Sequence, residues 1–132
     1  MDKNILTEYA GIKKEIQDLR RRIEEGRREL KRLNQADMED SRIDRRKAAL
    51  EKRIERHEIL EAELLKKQTE TEEYIESIPQ AELRMIFRHY YIDNLTWYQV
   101  AFRMNDAFPA RRVKYTEDSC RMRHKRFLKK IE

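Results

Sequence analysis

The chain has very little of what many domains use to turn or to cross-link. Its 132 residues include one cysteine, two glycines and two prolines, so an internal disulfide is excluded and a loop-rich or sheet-rich fold is disfavoured. No stretch reaches the ~18 consecutive apolar residues of a membrane span, and the first residues lack the apolar run of a signal peptide. We therefore expect a helical protein with no membrane association, in a reducing, cytoplasmic setting.

Charge is what the sequence has most of, and it is unevenly distributed. Charged residues make up 43% of the chain, which favours long, solvated helices. Residues 110–132 contain nine Lys and Arg against three acids, a net charge of +6, whereas the whole chain carries +5. Residues 1–109 therefore sum to about −1, and the basicity is local. Ten of the eleven aromatic residues lie at or beyond Tyr74, so the aromatic core is expected in the same C-terminal part.

Apolar residues in the first third of the chain recur at alternating steps of four and three, the spacing of a coiled-coil seam. The seam consists of Ile5, Tyr9, Ile12, Ile16, Leu19, Ile23, Gly26, Leu30 and Leu33. Gly26 marks either a weak point or a close approach of a partner helix, and we favour the close approach. Turn and cap formers over residues 34–40 interrupt the pattern, with Asp40 or Ser41 as the N-cap of a second helix over about 42–76.

The seam of the second helix is rougher and leaves alternatives open. Its positions are Ile43, Leu50, Ile54, His57 or Leu60, Leu64 or Leu65, Tyr74, Ile75 and Ile78. The short connection predicts an antiparallel pair. Because two helices form a thin structure, apolar residues are expected to remain uncovered. The sequence therefore predicts a homodimer or higher oligomer, or docking on another protein.

Residues 78–132 show three shorter amphipathic helices. Pro79 is expected at the start of a helix over 81–92. Thr96 is the expected N-cap of a second helix of about nine residues. After a long connection that contains Pro109, Thr116 is the expected N-cap of the last helix, with Glu117 and Asp118 where the helix dipole favours acids.

The last helix combines an apolar face with a cationic face. Cys120, His124, Phe127 and Ile131 fall on one side, and Asp118, Met122, Lys125 and Lys129 on the other, which is mainly cationic. A turn followed by such a helix is typical of a recognition helix that packs on one side and enters the major groove of DNA with the other. Residues expected to contact base edges or phosphates are Ser119, Arg121, Met122, Lys125, Arg126 and Lys129. Residues expected to contact phosphates alone are Arg111, Arg112, Lys114 and Lys130.

Several segments of this C-terminal part share a known pattern. They are Ile78-Pro79-Gln80, Leu83-Arg84-Met85-Ile86, Tyr90-Tyr91, Leu95-Thr96-Trp97-Tyr98-Gln99-Val100-Ala101, Met104 and Lys125-Arg126-Phe127-Leu128-Lys129-Lys130-Ile131. Together they resemble region four of bacterial primary-type sigma factors, and more nearly the small sigma-region-four-like regulators of phages and prophages. The resemblance covers about 55 of the 132 residues and implies promoter recognition and docking on RNA polymerase.

The chain departs from the sigma pattern in three ways. The connection between Met104 and Thr116 is longer, and Arg123 stands where the pattern usually has an apolar residue. The chain also has no counterpart of the sigma region that melts the −10 element. We therefore do not expect a complete sigma factor.

The sequence thus predicts an all-α protein: a long antiparallel coiled-coil hairpin over residues 1–77, followed by a small helix-turn-helix domain over 78–132. The expected function is a DNA-binding transcription regulator of phage or mobile-element origin, with double-stranded DNA and RNA polymerase as partners. A DNA-packaging (small terminase-like) or recombination accessory protein, and a coiled-coil adaptor that binds RNA polymerase, remain alternatives. No enzyme, metal or cofactor is expected, because no catalytic set stands out and the histidines are isolated.

Overall fold

The computed structural model describes residues 3–36 and 40–130, and every regular element within them is a helix. The predicted all-α class is confirmed. The elements are α1 (Lys3–Gln35), α2 (Ser41–Glu76), α3 (Ala81–Phe87), which continues as a π-helical turn over Arg88–Ile92, α4 (Trp97–Ala107) and α5 (Glu117–Lys130). The predicted connection over 34–40 falls partly outside the described residues, because 37–39 are not among them.

The chain forms two compact units. One consists of Gly11–Gln68, which are the middle parts of α1 and α2. The other, here called the C-terminal unit, combines Met1–Ala10 with Thr69–Glu132. The first turns of α1 and the last turns of α2 therefore belong to the same unit as the short helices. This unit thus includes residues that precede the predicted boundary at residue 78. A functional division at residue 77 stays a prediction.

In Gly11–Gln68 most of the apolar seam of α1 is buried against α2. Ile12, Ile16, Leu19 and Ile23 are each at most 7% exposed in the single chain, and Leu64 of α2 packs in a cluster with the first three. Leu30 and Leu33 at the end of α1 are half-buried, and Ile59 and Leu60 of α2 are exposed. The hairpin therefore leaves part of its apolar surface uncovered, and self-association stays a prediction.

The structure decides the alternatives in the α2 seam. Leu64 is buried and Leu65 is half-buried, whereas Leu60 is 36% exposed and His57 takes the inward position. Burial leaves His57 Nδ1 without a hydrogen-bond partner among the described residues. A buried polar atom without a hydrogen bond costs free energy, so this position of the seam is less favourable than an apolar one.

Gly26 lies where α2 approaches α1 closely, as the sequence favoured. A Cβ atom there would stand 3.0 Å from Ile54 Cγ1 and 3.3 Å from its Cδ1. Gly11, the other glycine of α1, is exposed, and a Cβ atom at that position would have nothing within 4 Å. The two glycines therefore share a helix and differ in their neighbours.

This difference predicts opposite responses to alanine. Gly11→Ala should raise the free energy of unfolding by roughly 0.5–1 kcal/mol, because alanine is the better helix former and the site is open. Gly26→Ala gains the same propensity but displaces Ile54, so we expect a smaller or negative change. Gly26→Leu should destabilise by about 1–3 kcal/mol through overpacking. Urea unfolding followed by circular dichroism measures all three, and equal stabilisation by both alanines would contradict the close approach.

The C-terminal unit has two apolar clusters, and α3 and α4 contribute buried residues to them. The first cluster contains Leu6, Ile75, Ile78, Leu83, Phe87 and Tyr91. The second contains Ile86, Val100, Ala101, Met104, Tyr115 and Cys120. Leu6 rather than Ile5 is the buried residue at the start of α1. Ile131, assigned to the apolar face of the last helix, lies outside the described residues.

Side-chain caps start three helices at the predicted residues. Asp40 Oδ1 accepts a hydrogen bond from the Arg42 backbone N–H at 2.8 Å at the start of α2. Thr96 and Gln99 form a reciprocal capping box at α4, which is eleven residues long rather than nine. Thr116 Oγ1 accepts from the Ser119 N–H at 3.0 Å at α5. Caps of this kind are worth about 1 kcal/mol each, and they fix where α4 and α5 begin.

Candidate functional site

The inward face of α5 is fixed by aromatic packing. Phe127 meets Phe87 edge to face, with ring centroids 5.2 Å apart, and His124 lies 5.1 Å from the same ring. Cys120 is completely buried. Residues three and four apart share one side of a helix, so these contacts determine which side chains of α5 point outward.

His124 is a packing residue within an aromatic cluster. Its ring lies 5.0 Å from Trp97 and 5.5 Å from Tyr90, and its Nε2 is hydrogen-bonded to the Tyr91 hydroxyl. Burial lowers the pKa of His124 to about 4, because the charged imidazolium is disfavoured away from water. Burial likewise raises the pKa of the Tyr91 hydroxyl. His124 therefore adds no positive charge to α5 at neutral pH.

Two arginines of the basic segment are bound within the C-terminal unit. Arg111 Nη1 donates to Glu82 Oε2 at 2.8 Å, and Arg123 Nη1 donates to the same oxygen at 3.2 Å. The Arg111 guanidinium also lies 4.1 Å above the Tyr115 ring and donates to its hydroxyl. The charge of Arg123 thus faces an acid of α3.

The charges of this network shift the pKa values of its members. Hydrogen bonds from Tyr115 and Arg111 hold the pKa of Glu82 below its ordinary value. Burial and the Glu82 carboxylate raise the pKa of Tyr115 to about 12. Glu82 therefore stays a carboxylate that retains both arginines. For that reason we do not count Arg111 among the outward-facing cations.

The long connection between α4 and α5 is held closed at its base. Asn105 Oδ1 accepts from the Tyr115 N–H at 2.7 Å, and Asn105 Nδ2 donates to the Tyr115 carbonyl at 2.9 Å. Tyr115 is buried beneath it. The tip of the connection leaves Arg112 and Lys114 exposed, and Lys114 Nζ donates to the Pro109 carbonyl at 3.0 Å. Both cations therefore stand on an ordered loop.

The outward side of α5 carries four exposed cations and one apolar side chain. Met122 is 43% exposed. The cations, which we call the α5 cation set, are Lys125, Arg126, Lys129 and Lys130, all exposed. Among residues 3–36 and 40–130 none of the four has an acidic side chain within ion-pair distance. Within those ranges, therefore, no acid neutralises their charge.

Two further predicted site residues are engaged locally at the start of α5. Arg121 forms an ion pair with Asp118 one turn earlier. The hydroxyl of the half-buried Ser119 accepts from the Thr116 N–H at 2.8 Å and donates to the Thr116 carbonyl at 3.1 Å. The structure thus brings the α5 cation set and Met122 together on one side, with Arg121 and Ser119 held at the beginning of the helix.

Two exposed aromatic side chains on α4 were not predicted from the sequence. Tyr98 and Phe102 are 68% and 64% exposed and line a shallow cleft with Glu117 and Asp118 of α5. They lie one turn apart, off the buried stripe of α4. That off-stripe spacing was the available signal, since it places two large apolar residues on one outward side of a helix.

Arginines are also clustered on α1, at residues 20–22 and 27–28. They differ from the α5 cation set because acidic side chains of α1 and α2 form ion pairs with them. Arg20 and Arg27 reach across to Glu61 and Glu58 of α2, at 2.8 and 2.7 Å. Arg21 forms ion pairs with both Asp18 and Glu25 along α1. Exposed pairs of this kind add little stability, but they cancel the charge that a phosphate-binding surface requires.

Comparison of the chain with protein-family models, curated proteins and solved structures finds no match. In the described ranges no helix has the length and apolar character needed to cross a membrane. The same ranges contain no cluster of three or more His, Cys, Asp or Glu side chains that could hold a metal ion. The geometry of the C-terminal unit is therefore the basis on which a function can be proposed.

Proposed function

We propose that this protein is a DNA-binding transcription regulator that reads double-stranded DNA with α5. One observation carries the proposal: the α5 cation set, which has no acidic partner among residues 3–36 and 40–130, lies on the outward side of a helix whose opposite side is packed into an aromatic core. A helix of this kind is rigid along its length, so its donors keep their spacing when they meet a partner of regular geometry. Duplex DNA, with phosphates on both sides of a groove that admits one helix, is such a partner.

The chemistry of the outward side suits both kinds of contact with DNA. Lysines and arginines neutralise phosphates, and arginine can also donate two hydrogen bonds to guanine O6 and N7. Met122, exposed between the cations, can contact the methyl group of thymine. Lys125 and Lys129 are one turn apart, as are Arg126 and Lys130, which separates each pair by about 6 Å along the helix. The ordered loop between α4 and α5 supplies two further cations for phosphate contacts.

The step from DNA binding to transcription depends on the resemblance to sigma region four. That resemblance implies a promoter or operator as the target and RNA polymerase as a second partner. It also favours a phage or mobile-element origin. No contact or surface of the described residues specifically favours a packaging accessory protein or a polymerase adaptor. We therefore propose the transcription regulator rather than either alternative.

Single alanine variants test which cations read sequence. Lys125→Ala or Arg126→Ala should weaken binding to a selected duplex by about 1–3 kcal/mol where the residue contacts a base, with a smaller effect on random duplex. Arg112→Ala should weaken binding to both duplexes alike. Lys13→Ala, which removes an exposed lysine of α1, is the matched charge control and should leave both affinities unchanged. Fluorescence anisotropy with labelled duplexes measures these differences. Equal losses of DNA affinity for Lys13→Ala and Lys125→Ala would contradict the proposal that α5 contacts DNA.

A further inference from the structure

A cleft beside α5 combines an apolar floor with cationic donors. It encloses about 410 Å³ between the segment that begins α3 and the last turns of α5. Ile78, Leu83 and Phe127 contribute its apolar lining. Ile78 is 1% exposed and Leu83 is 8% exposed, so they form the buried base of the cleft, whereas the exposed Pro79 and the half-buried Phe127 present its apolar surface. The volume is within the range of small-molecule sites, roughly 300–1,000 Å³.

The polar groups at this cleft differ in whether they already have a partner within the chain. Arg123 is already bound to Glu82 at 3.2 Å. Arg126 and Lys130 are exposed and have no acidic partner within the described part of the chain. Gln80 precedes α3 without using its side chain as a cap. Two cations without an acidic partner among residues 3–36 and 40–130, and an amide that does not cap α3, therefore stand at the edge of the cleft.

We propose that this cleft binds a small amphipathic anion, a molecule with an apolar body and a carboxylate head. The apolar surface of Pro79 and Phe127 would take the body, since burying apolar surface is favourable. Arg126 and Lys130 hold the head, because charge-assisted hydrogen bonds to a carboxylate are the strong ones. A phosphate on DNA satisfies the cations equally well but leaves the apolar floor unused, and this difference defines the ligand class.

Occupation of the cleft has a consequence that rests on the proposed function. Arg126 and Lys130 belong to the α5 cation set, so an anion held between them removes two donors from the DNA surface. Ligand and DNA then compete, and each lowers the apparent affinity of the other by the same factor. The protein would release DNA when the amphipathic anion is abundant.

Decanoate is the probe, titrated into the intact protein and followed by amide chemical shifts in two-dimensional NMR. We expect saturable shifts at Gln80, Leu83 and Phe127. Acetate, which lacks the body, and 1-decanol, which lacks the charge, should each bind at least about tenfold more weakly. Arg126→Gln with Lys130→Gln should weaken decanoate about tenfold or more. Lys125→Gln with Lys129→Gln is the matched control, because it removes the same charge from exposed positions that do not line the cleft.

Each outcome decides the site independently of DNA. Absence of saturable shifts, equal binding of acetate or decanol, or equal losses in the two double variants would overturn the proposal. Circular dichroism of both variants should match the unsubstituted protein, since all four side chains are exposed. A separate anisotropy assay tests the competition. If decanoate binds but does not displace DNA, the site stands and the regulatory consequence is wrong. If DNA does not bind at all while decanoate does, the proposed function fails and the site remains.

Discussion

Replacing the whole α5 cation set by glutamine should lower affinity for duplex DNA by at least about 100-fold near physiological salt. Each lost phosphate contact reduces the number of counterions that the DNA releases on binding, and this release favours the complex. With Arg112 and Lys114, the proposed DNA surface has six cations. The unsubstituted protein should therefore show a slope of log K against log salt near −5. The variant should retain a slope near −2, because two contacts remain. Anisotropy titrations over a series of salt concentrations measure both quantities.

The control for this variant removes the same total charge from the hairpin. Lys13, Lys14, Lys52 and Lys66 are exposed lysines of α1 and α2, and their replacement by glutamine leaves α5 intact. We expect an unchanged slope and an affinity within about threefold of the unsubstituted protein, the remainder being long-range electrostatics. If the two variants lose affinity equally, net charge alone governs binding and α5 is not the contact surface.

Phe87→Ala should cost about 3–5 kcal/mol of unfolding free energy. Phe87 is completely buried, and its ring packs against Tyr91, His124 and Phe127. It therefore joins the inward face of α5 to the core of the C-terminal unit, and the outward cations depend on it for their orientation. Urea unfolding measures the loss.

Phe102→Ala is the matched control for Phe87→Ala. Phe102 is 64% exposed on α4, so removing its ring leaves no cavity, and the change should stay within about 0.5 kcal/mol. DNA affinity of Phe87→Ala, measured where the variant is still folded, should also fall. Comparable stabilities of the two variants would contradict the packing described for α5.

Local sequence patterns were sufficient to predict most of the helices. The four–three spacing of α1, the hydroxyl caps at Thr96 and Thr116, and the apolar stripe of α3 each depend on residues within a few positions of one another. The coverage of the α1 seam could not be judged in this way, since it depends on how deeply α2 packs. The close approach at Gly26 permits that packing, and it was visible in the sequence only as a missing side chain.

The sequence predicted which cations of α5 are exposed. It did not predict the ion pairs that hold other cations of the site within the C-terminal unit. The exposed positions of Lys125 and Lys129 follow from helical periodicity and the buried Cys120. The bonds of Arg111 and Arg123 do not, because Glu82 lies 29 and 41 residues away in sequence. The cleft beside α5 was missed for the same reason, since its two walls are distant in sequence.

Selection of bound sequences from a pool of random duplexes tests the central claim most directly. The intact protein should enrich a short motif over successive rounds, because α5 is proposed to contact base edges as well as phosphates. The variant Lys125→Ala with Arg126→Ala should retain duplex and lose that motif. Retention of duplex by the intact protein without any enriched motif would contradict sequence reading by α5, and failure to retain duplex at low salt would contradict DNA binding altogether.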